Sequence, residues 1–161
     1  MSKLKTNINS HPASSNRFLP ENDGIDHINV FSRGKTKLGR ILSNFAYTPF
    51  LYEGIYYRSV EGALFHYRTG DDSFIKLYGY KAKELGKELP SYRLETPELI
   101  KSWFRAKLEY NPEIKEMLKE NKLPFAHYYM FDKKIKAELI CPDIWRELTD
   151  ELREIKFSEA A

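Results

Sequence analysis

The chain has 161 residues, 42% of them hydrophobic and 14% aromatic, a length suited to one domain with a single sizeable core and a composition that excludes general disorder. Its 26 basic and 23 acidic residues leave a net charge of +3, enough to permit an anionic ligand but no sign of a protein built around nucleic-acid electrostatics. Cys141 stands alone, which rules out an internal disulfide or a cysteine-rich metal site; four scattered histidines and no calcium-loop spacing argue against a metal centre, and the absence of a Gly-rich dinucleotide fingerprint leaves no cofactor to expect.

Residues 1–26 are rich in Ser, Asn, Pro and His without apolar periodicity and read as a flexible N-terminal arm. Lys3 and Lys5 precede no sustained apolar run and no stretch approaches membrane-spanning length, so a cytoplasmic protein with neither secretory leader nor membrane partner is expected. The folded part is expected over 27–157, beginning with a strand at His27–Phe31. The basic loop that follows contains Gly34-Lys35-Thr36, but the upstream glycine of a phosphate loop is missing, Val30 or Asn29 standing in its place.

Gly39 to Phe45 combines Arg40, Ser43 and Asn44 with apolar residues, a set able to hold phosphate or sugar beside a hydrophobic wall, or else a polar loop with Phe45 in the core. Two apolar runs, Pro49–Tyr52 and Ile55–Tyr57, flank Glu53-Gly54 and predict a β-hairpin. Ser59 is an N-cap for a helix carrying Val60, Ala63, Leu64 and Tyr67, with Glu61 in its first turn; a carboxylate there complements the helix dipole or serves as a fixed anion.

Gly70-Asp71 stops that helix and starts the next, and short helices follow on either side of Gly79. Lys83 and Lys87 share one helical face, as solvated charge or as phosphate ligands. Thr96-Pro97 opens a helix to about Tyr110 with Trp103 in its apolar stripe, and Asn111-Pro112 opens another. Phe125–Phe131 reads as a buried strand paired with Ile135–Leu139; His127 in it is a core residue, and Tyr128 or Tyr129 a candidate pocket wall. A last helix is expected from Asp143 to Ile155. The sum is an α+β, mainly helical chain.

The stretch LGRILSNFAYTPF followed by EGIYYRSVEGALF resembles the signature of the NADAR (YbiA-like) family, in which an LSNF element and a Pro-Phe hairpin precede Ser-Val-Glu at a helix start. The likeness continues through Lys81-Ala-Lys83-Glu-Leu-Gly86-Lys87 and Lys107–Glu113, covering roughly Ile28 to Ile155, and LGR with His127-Tyr-Tyr is most similar to a phage-type branch. It implies hydrolysis of the N-glycosidic bond of an ADP-ribosyl or ribose-phosphate adduct, for example on guanosine. Glu61 would be the catalytic carboxylate, Lys35 or Lys37 a lysine acting at the ribose, and Arg40, Ser43, Asn44, Phe45, Lys83, Lys87 and Tyr128 ligand-binding residues. The Asp-Trp pair and the terminal Asp-x-Phe-Trp-Gly segment of the riboflavin-pathway branch are missing, which weighs against phosphoribosylaminopyrimidine intermediates as substrates and keeps open a module that binds or sequesters an NAD-derived ligand without cleaving it.

Overall fold

The structure is a computed structural model and describes residues 18–131, 134–137 and 140–160. Among them are six α-helices and three two-stranded sheets, an α+β and mainly helical architecture. Contacts divide the chain into two compact units, one discontinuous, made from the segments up to Leu42 and from Leu118 onward, the other the intervening stretch from Ser43 to Met117.

In the discontinuous unit, Ile28–Asn29 (β1) pairs in parallel with Phe125–Ala126 (β4), 97 residues later. The strand expected over His27–Phe31 is limited to these two residues, because Phe31 turns its amide to the Gly39 carbonyl. The region expected as an arm is folded from Phe18 onward. Phe18 is buried with its ring stacked on His27, residues 20–22 form a 3-10 turn, and Asp23 is buried with its carboxylate accepting from the Asn29 and Lys35 amides. Residues 1–17 lie outside the described residues. A short helix, Lys37–Leu42 (α1), takes in Lys37, the end of the expected basic loop, and the LGR triplet that follows it.

The strand expected over Phe125–Phe131 is broken at His127, whose Nδ1 lies within hydrogen-bond distance of the Val30 carbonyl. Beyond it Tyr128–Phe131 (β5) pairs antiparallel with Lys134–Ala137 (β6); the partner expected over Ile135–Leu139 takes in Lys134, and 138–139 lie outside the described residues. Asn29 bridges the break, its side chain donating to the Tyr128 carbonyl and accepting from the Tyr128 amide. The last helix, Ile140–Ala160 (α6), starts a turn earlier than expected, with Pro142 in its first turn where a missing N–H costs nothing. Ile144, Trp145 and Leu148 are its buried stripe.

In the contiguous unit, Phe50–Tyr52 (β2) and Ile55–Tyr57 (β3) form the hairpin, with Glu53 and Gly54 both at positive φ, +50° and +81°. Ser59 caps Val60–Thr69 (α2) through its Oγ, which accepts from the Gly62 amide and donates to the Leu77 carbonyl. Gly70 closes that helix in the left-handed conformation, and Asp71 caps the 3-10 turn at Asp72–Lys76. Then come Tyr80–Glu88 (α3), Pro97–Tyr110 (α4) with Thr96 as cap, and Pro112–Glu120 (α5), of which residues 112–117 belong to this unit and 118–120 to the other. Asn111 does not cap α5 with its side chain as the sequence suggests; the amide nitrogen donates to the Pro49 and Lys107 carbonyls and ties the hairpin to α4. Phe50, Phe74, Trp103 and Phe104 fill the core, so Trp103 is a packing residue.

Candidate functional site

The Ser43–Phe45 turn is held on three sides, all within the contiguous unit. Asn44 accepts the Glu61 amide at its carbonyl (2.9 Å), which fixes the first turn of α2 beside this loop. Phe45 accepts the Gly79 amide (2.8 Å), which brings the entry to α3 alongside. From beneath, Lys107 of α4 donates its Nζ to the Ser43 carbonyl (3.2 Å). The Ser43 hydroxyl stays inside the turn, accepting from the Phe45 amide.

Glu61 therefore stands at the positive end of α2, half-buried, next to the carbonyl-lined Asn44 turn. It also lies within electrostatic range of Arg68, whose charge is stabilised chiefly by its hydrogen bonds to Glu95 and further by Glu61. Arg68 grips Glu95 with a two-pronged pair at 2.7 and 2.6 Å, anchoring the segment that leads into α4. Burial works against the Glu95 charge, yet the Arg68 hydrogen bonds leave its carboxyl below the usual range.

Lys83 and Lys87 are exposed on α3, with Lys83 Nζ 5.9 Å from the centre of the Phe45 ring and Lys87 Nζ 5.7 Å from that of Tyr80. The Phe45 and Tyr80 rings meet edge-on at 6.4 Å. Phe45 is half-buried, so its ring borders the surface instead of plugging the core. Glu61, Ser43, Asn44, Phe45, Lys83 and Lys87 are thus gathered in one unit.

Three expected site residues belong to the other unit. Lys35 is exposed and bonded through its backbone amide to Asp23. Arg40 uses Nη1 on the Gly34 and Lys35 carbonyls, bracing the basic loop. Tyr128 is buried, its hydroxyl 2.7 Å from His27 Nε2, while His27 Nδ1 lies 2.6 Å from Asp26. Burial, with the charges of Asp23, Asp26 and Glu21, pushes the Tyr128 hydroxyl well above its ordinary range.

Two groups escaped the sequence reading. Lys107 is wholly buried, and its signal was its place among Ile100, Trp103, Phe104 and Leu108 on the apolar stripe of α4. The other is a second Asp-His-Tyr chain: His66 Nε2 lies 2.9 Å from Asp72 and Nδ1 2.7 Å from the Tyr57 hydroxyl. Spacing carries no sign of it, since three separate elements supply its members.

Among the described residues no group of three or more His, Cys, Asp or Glu side chains is placed to hold a metal ion, and no helix is long and apolar enough to cross a membrane. No family model, curated protein or solved structure matches the chain.

Proposed function

We propose that the chain is a NADAR-type N-glycosidase acting on an ADP-ribosyl or ribose-phosphate adduct of a nucleobase such as guanine. The observation that carries this reading is the seating of Glu61: a carboxylate in the first turn of α2, its amide tied to Asn44, in the unit that also presents Lys83 beside Phe45. Cleavage of the C1′–N bond sends the bonding electrons to the base and leaves positive charge on the ribose. A fixed carboxylate stabilises that oxocarbenium-like state, water adds its oxygen to C1′, and a proton ends on the departing base nitrogen. Asn44 offers a carboxamide for a ribose hydroxyl and Lys83 a cation for phosphate, so binding far from the reacting carbon is turned into orientation.

A second route, in which the ribose opens and a lysine condenses with its aldehyde to an imine with loss of water, is favoured by one observation. Lys107 lies in the same unit as Glu61, its amine wholly buried against the carbonyl preceding Asn44, whereas Lys35 lies in the other unit.

Mass spectrometry of ADP-ribosylated guanosine, NAD and a phosphoribosylaminopyrimidine incubated with wild type and Glu61→Gln tests the proposal. Release of guanosine by wild type, lost at least a hundredfold in the variant, supports it. Binding without turnover by both proteins sinks it and leaves a ligand-sequestering module. Borohydride added during turnover separates the two routes, since only the imine leaves a reduced ribosyl adduct on a Lys107 peptide.

A further inference from the structure

The bond from Gly79 to Phe45 lays residues 45–47 against residues 78–80, and the aromatic side chains of the two segments meet in register. Phe45 faces Tyr80 at 6.4 Å and Tyr47 faces Tyr78 at 4.9 Å, both edge-on. Tyr47, Tyr78 and Tyr80 are 57%, 50% and 56% exposed; Tyr56, Tyr92 and Tyr110 of the same unit are exposed too, but only the row sets two ring pairs side by side with a lysine near each of two rings. Lys83 and Lys87 stand one helical turn apart along one side of this double row, each within 6 Å of a ring in it. Residues 76–88 carry Lys76, Lys81, Lys83 and Lys87 against Glu84 and Glu88, a local charge of +2.

We infer that this double row is a binding surface for single-stranded nucleic acid, with successive bases stacking on the Phe45–Tyr80 and Tyr47–Tyr78 pairs and the phosphates between them meeting Lys83 and Lys87. Every base has a π-face, so such a row takes strands without reading their sequence. A duplex, whose bases are already stacked on one another, has no face to offer it. Cations one turn apart suit a chain of phosphates better than one compact anion. The inference goes beyond the glycosidase reading and stands without it, since it concerns unmodified strands.

Fluorescence anisotropy of the full chain with labelled oligo-dT and oligo-rU of about twelve nucleotides tests it, with the matching duplexes and free mononucleotide as competitors. Single strands are expected to bind, and both competitors to displace them poorly. With two lysines engaged, log affinity should fall against log salt with a slope of about −1.4. Tyr47→Ala combined with Tyr78→Ala should weaken binding about tenfold or more. Lys83→Gln combined with Lys87→Gln should flatten the salt slope. All four side chains are exposed, and unchanged circular dichroism checks that the folds persist. Glu61→Gln should bind strands like wild type even where it abolishes turnover, so this inference and the glycosidase reading fail separately. Equal binding of duplex and single strand, equal competition by mononucleotide, or wild-type affinity in both double variants would overturn the inference.

Discussion

Lys107 shows what a single buried amine does for the site. Its Nζ supports the Ser43 carbonyl, and the next residue, Asn44, holds Glu61. Lys107→Met preserves most of the volume but removes the donor from a buried carbonyl, a loss of about 1–3 kcal/mol. Chemical denaturation should read that cost, and turnover should fall with it. Tyr57 offers a cleaner measurement, because burial first and then the charge of Glu53 push its hydroxyl up to about 12. The neutral hydroxyl is the form the fold accepts. Its contribution is complete below the unfolded value near 10 and is lost as pH rises from about 10 to 12. Tyr57→Phe cannot ionise there, so wild type should lose roughly 2 kcal/mol relative to the variant across that window in paired denaturation curves. Neither residue was legible as special in the sequence. A lysine in an apolar stripe and a tyrosine in a strand acquire their roles from partners 64 and 9 positions away.

At the scale of elements, local chemistry was readable wherever the chain turns on itself within a few residues. The hairpin, the Ser59 and Thr96 caps and the Gly70 stop all follow from neighbours in sequence, and they stand where the residues predict. The errors fall where a distant segment intervenes. His127 breaks a run of seven apolar and aromatic residues because Val30 claims it, and residues 18–26 fold because His27 and Asn29 give them partners. The hairpin retains a strained position, since Glu53 has a positive φ that costs a residue with a side chain. Glu53→Asn should stabilise the protein by several tenths of a kcal/mol, measurable as a small rise in Tm. Gly86 carries the opposite expectation. A Cβ there would run into the Phe65 ring, which is itself stacked on Phe74, so Gly86→Ala should cost about 1–3 kcal/mol and loosen the packing of α3 on α2.

For the whole molecule, the two-unit division was not visible in the sequence, where one continuous domain is the natural reading of the length. Composition does not mark it, and the discontinuous unit joins segments that nothing local connects. Asn29 is the residue on which that joining can be tested, because both polar ends of its side chain are spent on the Tyr128 backbone. Asn29→Ala leaves two buried backbone groups without partners and should cost about 2–4 kcal/mol. Hydrogen exchange should show the loss around Ile28–Val30 and Phe125–Tyr128, and the α2 amides should keep their protection. The candidate chemistry was easier to find than the architecture, since Glu61, Asn44 and Phe45 lie within 18 positions of one another and a helix start marks the carboxylate.

The parallel pairing of β1 with β4 also sets an order of events during synthesis. Ile28 cannot meet Phe125 until another 97 residues have been translated, which at about 5–20 residues per second is a wait of roughly 5–20 seconds. Throughout it the Asn29 carboxamide and the His27 ring have no Tyr128 to hold. Every residue of the contiguous unit is made within that interval. Over that interval β1 has no strand to pair with while Glu61 and its neighbours already have their partners, and β1 is the segment a chaperone on the ribosome would have to shield.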